Sequence, residues 1–325
     1  MPSAISFGEL LVDMVSDADV PLGQAPRFLK APGGAPANVA IGLQRLGVAS
    51  AFVGQVGDDP FGDWLCEIVK SEGVDTTHLS QTASARTTIA FVATRADGKK
   101  DICFYRNPGA DMLLEEEAIN AELFDDARLF HCGSLSLSEN PCRDAQFKAV
   151  RLAREAGVLV SYDPNWRPSI WSNHAIAHDL IWQMMELADI VKVAEEEWEF
   201  VTGTNDLEIG AQKIRDVGPK LVVVTRGENG AFFSAGSTHG FIEGTAVEVV
   251  DTLGAGDSFM AGLLSQLLEY SSLEAALDVS HLKKALRFAN ACGALATTKS
   301  GAIPALPTRR EVEQFLAAQP QIEVN

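Results

Sequence analysis

Two carboxylates bracket a small-residue turn in Val250-Asp251-Thr252-Leu253-Gly254-Ala255-Gly256-Asp257-Ser258-Phe259. Glu248-Val249-Val250 ahead of it reads as a strand, and Phe259, Leu263, Leu264, Leu267 and Leu268 after it recur at helical spacing. A strand, a turn of small residues and a helix N-terminus make an anion site. The first-turn N–H groups have no intrahelical partner, and the helix dipole adds partial positive charge. Asp257 at that place is either an N-cap or a general base beside a bound phosphate. Taken alone, the stretch points to phosphate binding without naming a reaction.

Other polar loops share the setting. Asp13 is the one charge in the run Leu10–Val15, so it lies on an exposed edge or faces a ligand. Gly33-Gly34-Ala35-Pro36-Ala37-Asn38 opens a helical apolar face of Val39, Leu43 and Leu46 that stops at Gly47. It is a tight turn with an Asn cap, or a place where a ligand touches backbone. Asp163-Pro164-Asn165-Trp166-Arg167 and Arg226-Gly227-Glu228-Asn229-Gly230 each follow a short apolar run. In open parallel α/β sheets ligands bind at the carboxyl ends of strands, and the loops 8–13, 163–167, 225–230 and 251–257 all read as following strands. No G-x-x-x-x-G-K-[ST] and no G-x-G-x-x-G after a first strand occur, which leaves P-loop enzymes and nicotinamide dehydrogenases unsupported. A small-molecule kinase remains. Phosphoryl transfer needs a positioned hydroxyl, a base and donors for the phosphoryl group. Asp257 and the amides of 254–257 meet the last two needs, and the loop at 33–34 is left for the acceptor.

The elements that must hold these loops alternate. Strands are expected at 4–7, 51–54, 129–132, 158–162, 189–193 and 221–225, with helices at about 61–72, 142–156, 175–187, 195–201, 207–217 and 285–296. Continuous apolar strands between helices predict a mostly parallel sheet covered on both faces. The exception is 87–94 and 100–106, two β-rich runs joined by Asp97-Gly98, which read as a hairpin outside the main sheet, joined by residues 10–30. Both alternation phases of its first run are apolar, Ile89 and Phe91 on one and Ala90 and Val92 on the other. One face can cover a ligand and the other needs a partner; the outer phase is assigned here to Val92.

Composition narrows the classes. The 325 residues are 46% hydrophobic and 22% charged, enough for a large buried core. A net charge of −18 argues against nucleic-acid backbones but not against a nucleotide, which a few amides and Arg can hold. No basic leader and no apolar run of membrane-spanning length is seen, and five dispersed cysteines without C-x-x-C spacing read as reduced thiols of a cytoplasmic protein. His174 and His178 have ligand spacing but no third ligand nearby in the sequence.

Asp251-Thr252-Leu253-Gly254-Ala255-Gly256-Asp257 resembles the C-terminal signature of the ribokinase-like (PfkB) carbohydrate kinases. Gly33–Asn38 followed by Arg45-Leu46-Gly47 and Gly54–Gly62 resembles the N-terminal one. Within the family Lys30–Asn38, Arg86–Phe91, Ala110–Leu114, Ser161–Asn165 and Gly301–Pro307 look most like fructokinases. The resemblance implies one ribokinase-like domain over 1–325, a three-layer α/β/α sandwich with a mostly parallel central sheet. A small β-sheet lid from about 10–31 and 86–110 would cover the sugar. It implies ATP-dependent phosphorylation of D-fructose to D-fructose 6-phosphate, with Asp257 as base and amides of Gly254, Ala255 and Gly256 as anion hole. Asp13, Gly33, Gly34 and Asn38 would hold sugar hydroxyls, and Phe104 and Arg106 would close over them. Arg167, Thr225, Gly227 and Gly230 would meet the nucleotide phosphates, and Asn290 the adenine side.

Many relatives carry an Asn-x-x-Glu motif tied to Mg²⁺; here Ala194-Glu195-Glu196-Glu197 keeps only the Glu end, so Glu197 is carried over through metal-bound water. Asp251 and the Leu253 carbonyl resemble a monovalent-cation (K⁺) site, with a plain capping Asp as the other reading. Lids of this family often meet across a dimer two-fold, so a homodimer through the lid is expected. Two rivals stay open: a 2-keto-3-deoxygluconate kinase, kept alive by Arg86 and Arg106, and a non-catalytic sugar-binding regulator.

Overall fold

The computed structural model describes residues 2–95 and 100–319. The chain begins β1 (Ala4–Phe7), β2 (Leu11–Ser16), β3 (Phe28–Gly33), α1 (Ala35–Arg45), β4 (Ser50–Gly57), α2 (Pro60–Ser71) and β5 (Leu79–Thr82). It continues through β6 (Ile89–Thr94), β7 (Lys100–Tyr105), β8 (Leu129–Cys132), α3 (Cys142–Glu155), β9 (Leu159–Tyr162), α4 (His174–Met185) and β10 (Ile190–Ala194). Next are α5 (Glu195–Thr202), α6 (Leu207–Asp216), β11 (Leu221–Thr225), β12 (Ala231–Ala235) and β13 (Thr238–Ile242). Helices α7 (Ala255–Leu267), α8 (Leu273–Ala276), α9 (Val279–Ala296), α10 (Ala302–Ala305) and α11 (Arg309–Ala318) close it.

Among the described residues the main sheet runs β13-β12-β11-β10-β9-β8-β1-β4-β5, parallel from β5 to β11 and antiparallel at β12 and β13. Alternate residues of a strand point to opposite faces. Val222 and Val224 therefore join a core with α3 to α6, while Val223 joins one with α1, α7 and α9. This is the expected ribokinase-like sandwich with helices on both sides. Short-range chemistry sets the helix ends. Asp59 caps α2 by accepting from the Phe61 and Gly62 amides, both at 3.0 Å, with Pro60 at the first helical position. Asp59 also accepts from the Thr87 amide at 2.8 Å, which ties α2 to the start of β6. Among the described residues no helix is long and apolar enough to cross a membrane.

A second sheet, in the order β3-β2-β6-β7, stands apart from the first. Its β2 pairs parallel with β6, so residues 11–33 complete what 89–105 begin. The Asp97-Gly98 turn lies outside the described residues. Residues paired in register share a face. Asp13, Ala90, Val92 and Phe104 belong to one face, and Met14, Phe91 and Tyr105 to the other. Val92 is therefore an inner residue, 3% exposed, and its assignment to the outer phase is corrected. The outer face carries Phe28 against Phe91 at 5.0 Å between ring centroids and Phe91 against Tyr105 at 5.2 Å.

The expected strand at 248–250 is also corrected. Val249 and Val250 are 59% and 62% exposed and pair with no strand; the Val250 and Asp251 amides instead donate to the Thr297 carbonyl at the end of α9. The antiparallel strand β13 already closes that edge, so this apolar pair has no sheet neighbour. The glycine turn before α7 thus follows a loop.

Candidate active site

The two glycine turns meet. Gly34 precedes α1 and Gly254 precedes α7, and helices α1 and α7 pack against each other. Asn38 in the first turn of α1 donates from Nδ2 to Asp257 Oδ2 in the first turn of α7, at 2.7 Å. Gly254 sits at φ +77°, in the left-handed region, and a Cβ there would meet Ala302 at 2.8 Å. Only glycine allows this turn to lie so close to α10. The Asn38 Oδ1 atom is buried and has no hydrogen-bond partner. Such an acceptor is costly unless a ligand satisfies it.

Asp13 comes to the same place from β2. A Cβ on Gly33 would run into the Asp13 carboxylate, so the bare glycine is what makes room for it. Burial, then the charge of Asp257, pushes the Asp13 carboxyl up to about 7. Burial raises Asp257 to about 6, against the lowering effect of the Asn38 hydrogen bond. Asp257 keeps part of its surface exposed while its carboxyl is deep enough to be desolvated. A carboxyl poised near neutrality, at a helix N-terminus, can take a proton beside a bound anion.

Beneath the turn is a group that the sequence reading missed. Lys192 Nζ pairs with Asp163 Oδ2 at 2.8 Å, both side chains being almost wholly buried. A Cβ on Gly256 would come within 3.1 Å of that ammonium, so the cation lies directly against the glycine turn. Its signal was a lone charge in the apolar run Ile190–Val193, the same signal that singled out Asp13. Glu197, at the start of α5, is buried and accepts from the Trp166 amide at 2.9 Å. Burial, then the neighbouring Asp163, raises its carboxyl to about 7. Arg167 closes this loop, its guanidinium bonded to the carbonyls of Asn165 and Trp166.

The remaining candidates are more dispersed. Thr225 ends β11, and Gly227 follows it on the surface, where a Cβ would meet nothing within 4 Å. Gly230, at φ +80°, is buried where a Cβ would strike the Ile242 carbonyl, so it serves the β11–β12 turn. Asn290, on α9, donates to the Glu243 carbonyl at 2.9 Å and to that of Ile242 at 3.3 Å. Asp251 accepts from the Leu253 and Gly301 amides, each at 2.9 Å, so it caps the loop before α7 and pins it to the turn before α10. Phe104 lies half-buried on the inner face of the small sheet. Arg106 sits just past the end of β7, buried, bound to Asp111 at 2.7 Å and to Ser138 Oγ at 2.8 Å. Its charge is therefore already answered within the protein.

Sequence comparison agrees with this geometry. The model of the pfkB family carbohydrate kinases matches residues 1–309. Fructokinase-1 of Zea mays is 48% identical over 315 residues, covering 96% of this chain and 97% of its own. A double mutant of a fructokinase from Vibrio cholerae O395, solved with fructose, ADP and potassium ion, superposes with a TM-score of 0.88 at 37% identity, covering 97% of this chain and 98% of that one. A fructokinase from Xylella fastidiosa with bound ATP gives 0.89 at 35% identity over 98% and 99% of the two chains. The chain belongs to the pfkB family of carbohydrate kinases.

Proposed function

We propose that the protein is an ATP-dependent fructokinase that converts D-fructose to D-fructose 6-phosphate. The observation that carries the reading is the junction of the two glycine turns. There the Asp257 carboxylate, bonded to Asn38, faces an unpartnered acceptor on Asn38 and the unpaired carboxylate of Asp13. Acceptors in that number suit a ligand rich in hydroxyl donors. In the proposed reaction Asp13, Asn38 and the backbone at Gly33 and Gly34 hold the sugar, with Phe104 covering it. Asp257 takes the hydroxyl proton as the oxygen attacks the γ-phosphorus, and the bond to the bridging oxygen breaks with its electron pair leaving on ADP. The first-turn amides of Gly254, Ala255 and Gly256 face the charge that develops.

The nucleotide belongs over the open face at Thr225 and Gly227, with Gly230 shaping the turn, Asn290 holding the loop at 242–243 on its adenine side and Arg167 toward its phosphates. Among the described residues no cluster of three or more metal-ligating side chains occurs. Glu197 is the residue that would approach a nucleotide-borne Mg²⁺ through water, and the ion would supply charge neutralisation for the phosphates. Asp251 uses one lone pair of each oxygen on an amide, which leaves room for a monovalent ion shared with the Leu253 carbonyl.

Of the two arginines that favoured a carboxylate-bearing substrate, Arg106 is neutralised by Asp111, which supports the uncharged sugar over 2-keto-3-deoxygluconate. The outer face of Phe28, Phe91 and Tyr105 is proposed to meet a second copy as a homodimer, and the five free cysteines suit the cytoplasm. ATP turnover across fructose, glucose, ribose and 2-keto-3-deoxygluconate, with the fructose product identified, tests the assignment. A higher kcat/KM on 2-keto-3-deoxygluconate, or no turnover on any, would overturn it.

A further inference from the structure

Lys100 opens β7 at the tip of the small sheet and pairs with Thr94. The register puts it on the inner face with Phe104 and Asp13. In this structure β7 packs against the 3-10 turn Pro168–Ile170, the residues that follow Arg167. The ammonium is thereby carried from the edge of the small sheet to the carboxyl ends of the main one. The charges around it are Asp251, Arg167, Asp13 and Asp257, which come from the small sheet, the loop after β9 and the glycine turn. Burial, the largest influence, lowers its pKa. Yet among the described residues the ammonium has no ion-pair or hydrogen-bond partner. Arg167 beside it is bonded only to backbone carbonyls. Two partly desolvated cations that form no direct ion pair among the described residues, next to a helix N-terminus, leave a place for an anion in contact with them that the protein does not fill.

We propose that Lys100 is a lid-borne counter-charge for the phosphoryl group in transfer, brought to the reaction centre only when the small sheet lies over the cleft. This rests on the kinase reading above. Lys100 exchanges no proton in the step: the hydroxyl proton goes to Asp257 and the leaving electron pair to ADP. Its positive charge complements that of Arg167 and the α7 N-terminus while negative charge spreads over the γ-phosphoryl oxygens. Because the cation rides on the lid, closure over the sugar and stabilisation of the transfer become one event, and an open lid leaves ATP without it.

The test compares wild type with Lys100→Met, Lys100→Gln and Lys100→Arg in the ATP and fructose assay. Lys100 is half-buried at the start of a strand, so all three are expected to melt with the wild type. Lys100→Met and Lys100→Gln should lose about tenfold to 100-fold in kcat with fructose KM within about threefold, the order expected for removing one charge from a transition state. Lys100→Arg should keep most of the rate. A wild-type kcat in the neutral variants overturns the proposal, as does Lys100→Arg failing as badly as Lys100→Met. A rise in fructose KM alone also overturns it, since that marks a role in closing the lid. Wild-type protein that fails to phosphorylate fructose removes the kinase reading itself, a result separate from all of these.

Discussion

Replacing Asp257 with Asn changes the proposed chemistry while leaving the shape of the site nearly intact. The amide oxygen can still accept from Asn38 Nδ2, as the carboxylate does at 2.7 Å, so the contact between the two glycine turns survives. What is lost is the base. Burial has pushed the Asp257 carboxyl up to about 6, which makes it a stronger base than a surface carboxylate while leaving it ionised above pH 7. A positioned base contributes about 10²- to 10⁴-fold, or roughly 3–6 kcal/mol at about 1.4 kcal/mol per factor of ten. Turnover of Asp257→Asn should fall by that factor, with KM for fructose and ATP within a fewfold of wild type. The pH profile carries the sign: the carboxylate is the active form, so wild-type kcat/KM should fall on the acid side, about tenfold per unit below about pH 6. Asp13, raised to about 7 in part by Asp257, titrates with it, so the limb reports the pair. In the variant Asp13 loses a charged neighbour and its carboxyl should titrate lower. A coupled ADP assay from pH 5 to 8, with direct detection of the sugar phosphate, reads both quantities. Turnover of Asp257→Asn within tenfold of wild type, or a flat wild-type profile across that range, would refute the reasoning.

The other expectations concern assembly and stability. Phe91→Asp puts a charge between Phe28 and Tyr105 on the outer face and should shift a dimer toward monomer in sedimentation velocity while raising fructose KM. A wild-type monomer at micromolar concentration would rule the lid dimer out. Lys192→Met leaves Asp163 buried without its cation and should cost about 3–5 kcal/mol in denaturant unfolding; a loss under about 1 kcal/mol would show that the buried pair does not hold the fold together. Glu9, Asp13 and Glu197 are each raised to about 7, with burial the largest cause. A carboxyl raised in the folded state binds its proton more tightly there than when unfolded. Its contribution is fully present below the unfolded value near 4 and is lost as pH rises through about 7. The unliganded protein should therefore melt higher at pH 5.5 than at pH 8, and the opposite trend would show that these groups are ionised without cost.

The sheet was legible where the physics was local. Runs such as Leu129–Cys132 and Leu221–Thr225 are apolar but for His131 and Thr225 because parallel strands are covered on both faces, and they emerged as β8 and β11. Val249 and Val250 show the limit of that rule: an apolar pair beyond the last strand has nothing to pair with, and periodicity does not register a missing neighbour. The phase of Val92 failed for a related reason. Which side of β6 faces inward depends on its parallel pairing with β2, a contact between distant segments. At the site, residue types at fixed spacing revealed Asp257 and Asn38 separately, but their contact spans 219 positions and depends on two helices packing. Lys192 was hidden differently, since a lysine inside a strand declares its purpose only once Asp163, 29 positions away, is seen beside it.

The charges at the centre explain why such a site would need its ligands in order to close. Asp13, Asp163, Glu197, Asp251 and Asp257 are answered within the protein by Lys192, Arg167 and Lys100, and only Lys192 forms an ion pair. Asp13 and Asp257 raise each other's cost of ionisation, and they stand on opposite walls, one on the small sheet and one on the main domain. If the small sheet closes as proposed, closure on an empty cleft would press these two like charges together and desolvate Lys100 without giving it an anion. In the proposed reaction a polyhydroxyl sugar would reverse the first cost by donating hydrogen bonds to both carboxylates, and a polyphosphate would reverse the second by facing Lys100 and Arg167. In the proposed reaction, each substrate thus removes a different penalty on the same closure. The closed state is then stabilised most when both are present, which is the condition under which the γ-phosphoryl group has a sugar hydroxyl, rather than water, in front of it.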